Sequence, residues 1–188
     1  MKKTLFYSAL VLAFWAATIP ATASLVDIPD SNFRAKLKML YPSCFVGNQL
    51  ETTCSNITSE RILILRGLGI SDLNGIQYFT ALLELNCEYN QLTSLPTLPN
   101  TLKKLDCSNN KLTSLPALPL GLTYLACISN QLSILPPLPL GLTYLNCSSN
   151  QLSILPPLPN GLKFLSCAYN QLNSLPALPS ELDFLGCS

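Results

Sequence analysis

Residues 122–141 read LTYLACISNQLSILPPLPLG, and residues 142–161 repeat them almost letter for letter as LTYLNCSSNQLSILPPLPNG. The shared pattern, L-x-x-L-x-C-x-x-N-x-L-x-x-L-P-x-L-P-x-x, begins at Leu82, Leu102, Leu122, Leu142 and Leu162, and a partial copy opens at Leu182. A fixed period of twenty residues means stacked, identical units whose apolar faces are covered by their neighbours, that is, a solenoid. In L-x-x-L-x-C, alternate residues of a strand point the same way. Leu85 and Cys87 therefore face inward, while Glu84, Asn86 and Glu88 face out. The L-P-x-L-P half cannot be helix interior, because Pro96 and Pro99 lack amide donors and fix φ. It is expected as extended, polyproline-like backbone on the far side, with Leu95 and Leu98 tucked inward.

Two columns call for separate reasons. An Asn amide carries donors and an acceptor together, so Asn90 to Asn170, in steps of twenty, are read as a ladder satisfying the turns after each strand. The Cys87 to Cys187 column lacks the C-x-x-C spacing of a zinc site, and side chains at equivalent positions of parallel strands do not point at one another. Buried free thiols are expected there, with no metal and no cofactor.

These columns resemble those of the leucine-rich repeat family. The twenty-residue L-P-x-L-P form is similar to bacterial effectors of the Yersinia outer protein M class. The phrase ISDLNGIQYFTAL at 70–82 resembles internalin-type repeats, whose outer segment is a short helical turn. The resemblance implies a parallel β-sheet on the concave face, an extended convex face and a role in binding proteins. Some longer family members carry a ligase domain. None follows the repeats here, so that activity is not expected.

Outward from the repeats, the expected organisation is a signal peptide at 1–23, an N-terminal helical cap at 24–59 and repeats at 60–188. The repeats divide into an irregular coil at 60–81, five regular ones at 82–181 and a partial one at 182–188. Lys2 and Lys3, the apolar run from Leu5 to Ala17, and Ala21-Thr22-Ala23 form the leader pattern, so the product is expected to be exported, to the periplasm, cell surface or medium. The run is too short to span a bilayer comfortably, and no stable membrane insertion is expected once it is removed.

Residues 27–42 read as the capping helix, started by Asp30 or Ser31, stopped by Pro42, with Phe33, Leu37 and Leu40 along its buried stripe. Cys44 and Cys54 lie off the repeat lattice, and in an exported chain a disulfide between them is expected. The C-terminus is expected to lack a cap, with the chain stopping inside a strand at Leu185. That leaves an edge through which copies could self-associate.

Function is confined to the outward positions. One sheet-face column runs Ile62, Glu84, Lys104, Tyr124, Tyr144, Phe164, Phe184, beside a second that includes Asp106, Asn146, Ser166 and Gly186. Glu84, Lys104, Asp106, Tyr124, Tyr144, Asn146, Phe164 and Phe184 are the candidate binding residues for a protein or peptide. A glycan is the alternative ligand. A third reading has the rings only stacking on one another to stiffen the sheet. The chain contains 11 Lys and Arg against 10 Asp and Glu and no His. Losing Lys2 and Lys3 turns its formal charge of +1 into about −1. Such a balance offers no electrostatic case for nucleic acid, and without a desolvated acid pair or an activated thiol an enzyme is not expected.

Overall fold

The structure, a computed structural model, describes residues 24–187. The expected signal peptide lies outside the described residues. From Ile62 onward the chain winds into a parallel-stranded solenoid of about six turns. Its strands are β4 (Ile62–Ile64), β5 (Glu84–Asn86), β6 (Lys104–Asp106), β7 (Tyr124–Ala126), β8 (Tyr144–Asn146), β9 (Phe164–Ser166) and β10 (Phe184–Gly186). They form one seven-stranded sheet in chain order. Every pair is in register, so Leu63, Leu85, Leu105, Leu125, Leu145, Leu165 and Leu185 align in one row. A period of twenty holds each residue type over its own copy, and a one-residue slip would turn the leucine row out to solvent.

The remainder of each regular coil contains neither helix nor strand, as its prolines require. Leu92, Leu95 and Leu98 close the core from that side. Each fully buried leucine contributes roughly 1.5–3 kcal/mol of transfer free energy. The seal weakens toward the C-terminal end, where Leu178 is 46% exposed against 4% for Leu98.

The Asn column reaches one coil back. Asn130 Nδ2 donates to Cys107 O in the preceding coil (3.1 Å) and to Cys127 O and Ile128 O in its own (3.2 Å each). Its Oδ1 accepts from Leu112 N at 3.0 Å, again one coil back. Asn110, Asn150 and Asn170 repeat this wiring. The residue before each Asn takes a left-handed backbone: Tyr89, Asn109, Ser129, Ser149 and Tyr169 have φ of 52–56°, and Gly67 occupies the same place in the first coil. Each non-glycine residue there costs on the order of 1 kcal/mol, offset by the ladder bonds that the turn aligns. Leu68 stands at the ladder position of the first coil, where no repeat precedes it for an amide to reach back to. Asn90 serves that coil instead, accepting from both Leu68 N and Ile70 N.

The cap lies over the first coil. Strand β1 (Leu25–Asp27), helix α1 (Ser31–Leu40), a 3₁₀ turn (Pro42–Cys44), β2 (Phe45–Val46), β3 (Gln49–Glu51) and the single turn α2 (Ser55–Thr58) follow in order. The three strands form an antiparallel sheet with β3 central. Asp30 starts α1 as expected, accepting from Asn32 N and Phe33 N at 2.9 and 2.8 Å. The buried stripe differs from expectation at one residue. Phe33 and Leu37 are fully buried, but Leu40 is 40% exposed and Tyr41, at 7%, takes its place. The helix, Ser31–Leu40, is shorter than the expected 27–42 at both ends, and the Tyr41 N–Leu37 O bond closes its last turn, so the residue four beyond Leu37, not three, turns inward. Cys44 and Cys54 are bridged, with Cα atoms 5.5 Å apart. Closing so short a loop restricts the unfolded chain by about 3 kcal/mol in the chain-entropy account.

Two carboxylates fasten the cap to the coil. Asp30 Oδ2 accepts from both Ser71 N and Ser71 Oγ at 2.8 Å. Glu60 Oε2 accepts from the Tyr41 hydroxyl at 2.8 Å, while its Oε1 accepts from Arg61 N and Ile62 N. Burial would raise the pKa of each, but the hydrogen bonds outweigh it and hold both below their ordinary values of 3.8 and 4.5. Depressed folded-state values mean that the ionised forms stabilise the fold above those pH values, and that the contribution fades as pH falls through them. Melts between pH 6 and pH 3 are therefore expected to show a falling midpoint. The variant Asp30→Asn with Glu60→Gln should be less stable at pH 6 and flatter across the range. An unchanged acid limb in that variant would remove these two groups from the account.

Candidate functional site

The outward column of the sheet is a continuous stack. Tyr124 and Tyr144 have ring centroids 4.2 Å apart and planes within 8°. Tyr144 and Phe164 follow at 4.3 Å and 9°, then Phe164 and Phe184 at 4.4 Å and 6°. In-register parallel strands repeat at about 4.8 Å, close enough to the thickness of a ring that identical side chains have to stack. Lys104 closes the N-terminal end. Its Nζ lies 5.3 Å from the Tyr124 centroid and 2.8 Å from Glu84 Oε1. One coil earlier Arg66 pairs with Glu88 and lies 4.6 Å from the Tyr89 ring. The expected candidates Glu84, Lys104, Tyr124, Tyr144, Phe164 and Phe184 therefore form one row, charged and ion-paired at one end and apolar at the other.

The second column behaves differently. Asp106 Oδ1 accepts from Ser108 N at 3.0 Å, and Asn146 Oδ1 accepts from Ser148 N at 3.2 Å. Both residues lie beside the stack but serve their own turns, as Asn86 does for Glu88 N. Ser148 Oγ and Ser166 Oγ share a bond of 2.7 Å. Among the described residues no buried side-chain nitrogen or oxygen lacks a partner. Burial, followed by the neighbouring Tyr144 hydroxyl and the carboxylates of Asp106 and Glu88, raises the Tyr124 phenol well above its ordinary value, so it remains a hydrogen-bond donor at any physiological pH.

The cysteine column is chemically quiet. Cys87, Cys107, Cys127, Cys147 and Cys167 are buried and unbridged, and Cys187 is exposed. Burial pushes the interior thiols up, Cys147 to about 12, and a thiol so rarely ionised is a poor nucleophile. Several point their S–H at the carbonyl of the next coil, as Cys107 does to Ala126 O at 3.5 Å. Among the described residues no group of three or more His, Cys, Asp or Glu is placed to hold a metal, and no helix is long and apolar enough to cross a membrane.

The outer, proline-rich side carries apolar residues that the sequence reading passed over. Leu120 and Leu140 are 91% and 89% exposed, with Ile134 and Ile154 exposed nearby in sequence. Their signal was present: these positions hold Asn or Ser in the other copies. Shallow depressions of about 370, 270 and 250 Å³ lie between neighbouring coils on that side. None is lined by a residue of the ring stack.

The family profile described as Leucine Rich Repeat matches residues 101–122 and 141–162. Among solved structures the fold is similar to YopM from Yersinia enterocolitica WA-314, at 40% identity and a TM-score of 0.66, over 69% of this chain and 29% of that one. A Shigella effector LRR domain matches at 43% identity and a TM-score of 0.63, over 65% and 56%. The functional domain of InlJ from Listeria monocytogenes, described as including a cysteine ladder, matches at 26% and 0.61, over 85% and 46%. The chain thus spans from 29% to 56% of the length of these structures. No curated protein matches it.

Proposed function

We infer, on the premise that the chain is a bacterial leucine-rich repeat protein of the effector-like kind, that it is exported and binds a protein partner through the sheet face bearing Tyr124, Tyr144, Phe164 and Phe184. The fold is one typically used for protein–protein interaction, by modules that are generally non-catalytic. The observation that carries the reading is the ring stack itself. Four aromatic side chains held outward in one row offer large, rigid contact area with little entropy left to lose on binding. The Cys44–Cys54 bridge supports export, since such bonds persist in oxidising compartments.

A glycan fits this face less well. Sugars pack their C–H faces on open ring faces, whereas here neighbouring rings cover one another at 4.2–4.4 Å and Lys104 covers the outer face of Tyr124.

Selecting binders from a displayed random-peptide library on the immobilised protein tests the reading. Peptides so obtained should lose tenfold or more in affinity for the variant Tyr144→Ser with Phe164→Ser, about 1.4 kcal/mol or above. They should be indifferent to Leu140→Ser on the outer side. Equal binding to the sheet-face variant, or a protein that captures glycans and no peptide, would overturn it.

A further inference from the structure

We propose that the sheet face recognises an aromatic side chain on an extended partner segment, seated with its ring face down on the edges of the stacked rings. This rests on the protein-binding reading and specifies its chemistry. Stacking leaves the inner rings with little free face, and only Phe184, 48% exposed at the end of the stack, keeps one face uncovered by another ring. What points outward is a row of ring edges and two phenol hydroxyls. At Gly186 an added Cβ would lie 3.2 Å from Phe184 Cε1 and 3.2 Å from Ser166 Oγ, so the Phe184 ring leans along its strand toward the glycine. Ala126, outward by register, is 2% exposed, as a residue roofed by its neighbours would be.

Most polar groups beside the row already have partners, and the Asp106 carboxylate keeps its charge next to Tyr124. Lys104 is paired with Glu84 and Arg66 with Glu88, and Asp106 and Asn146 accept from their own backbone. Recognition is therefore left to the edges and hydroxyls. An aromatic edge is the electropositive part of the ring quadrupole and an aromatic face the electronegative part. The ring edges consequently favour a partner ring face over a cation, the reverse of an open aromatic cage, whose exposed faces collect cations. The three ring spacings together reach about 13 Å, the length of roughly four extended residues, so a short segment suffices to lie along it.

The test uses the whole protein with ¹³C-labelled Tyr and Phe rings and four probes at millimolar concentration. Three are acetylated pentapeptides, Gly-Ser-X-Ser-Gly amides in which X is tryptophan, cyclohexylalanine or lysine, and the fourth is maltotriose. The tryptophan peptide should shift the edge protons of Tyr144 and Phe164 upfield, the sign given by a ring lying face-on. It should bind about two- to tenfold tighter than the cyclohexyl peptide, with lysine and maltotriose inert. The variant Phe164→Leu should lower that preference while keeping an apolar surface. Equal response to the tryptophan and cyclohexyl peptides would overturn the inference and leave protein binding standing as plain apolar contact. A response to lysine at tryptophan's level, downfield shifts, or no response to any peptide would also overturn it. Peptides selected from the library then judge the broader reading separately.

Discussion

Asn130→Ala is expected to destabilise the protein by about 1–3 kcal/mol and to loosen above all the coil before it. The substitution strands the amide of Leu112, one coil back, whereas Cys107 O keeps its bond from Asn110 Nδ2 and Cys127 O its bond from Asn150 Nδ2. Each buried group left unpaired costs about 1–3 kcal/mol, and a water entering the space would recover part of that. Against a total stability on the order of 5–15 kcal/mol the loss is large enough to read by urea unfolding. Hydrogen exchange locates it: Leu112 N should lose most protection, although it lies 18 residues upstream in sequence. Thr113→Ala, at an exposed neighbouring position, is the control and should stay within about 0.5 kcal/mol. Undiminished protection at Leu112 would show that the ladder does not carry the turn.

Phe33→Ala should cost more, about 3–5 kcal/mol, by a different route. The ring is fully buried and its Cε1 lies 3.7 Å from where a Cβ on Gly75 would sit. Gly75 has φ of 116°, and a Cβ there would meet Ile28 Cδ1 at 2.3 Å, so the first coil is shaped around the cap and cannot close over the hole. Leu63, Leu65, Ile70 and Leu73, buried in the first coil, would be served by a loosened lid. Unfolding is then expected to begin at the N-terminal end, with a lower denaturant midpoint and a reduced slope as that coil frays before the rest. A variant that unfolds with full slope and a small midpoint shift would mean that α1 is an appendage.

Much of this fold is legible because its information is periodic. Leu85, Cys87 and Asn90 each recur at twenty, and one physical constraint per column is enough to place all copies. The reading is weaker where a residue is used once. Leu40 sits at stripe spacing, yet helix α1 ends there and Tyr41 supplies the buried group, because the phase of a helix end depends on the turn that follows it. The candidate stripe is legible as positions only. That Tyr124 and Phe184 stand in one row follows from register, but which part of each ring meets solvent depends on side-chain torsion and strand spacing, which no pattern of letters records. Asp106 and Asn146 show the complementary limit. Outward polar residues in a sheet look like binding groups until the turn two residues on claims their oxygens. Leu120 and Leu140 are legible only as departures from the Asn or Ser of the other copies, which marks them without assigning them a role.

The backward reach of the ladder amides has a consequence for how such a gene can grow. Every twenty-residue segment encodes both a coil and the fastener for the coil preceding it, so a segment inserted in frame anywhere within the array arrives already wired to its upstream neighbour and offers the same groups downstream. Unequal crossing-over between copies lengthens or shortens the product without asking for a compensating change. LGLTYL at 120–125 and again at 140–145 is what such an event leaves behind. Where the exchanged segment carries Tyr124, Tyr144 or Phe164, it also adds a ring, so the length of the stack and the number of such repeats change together.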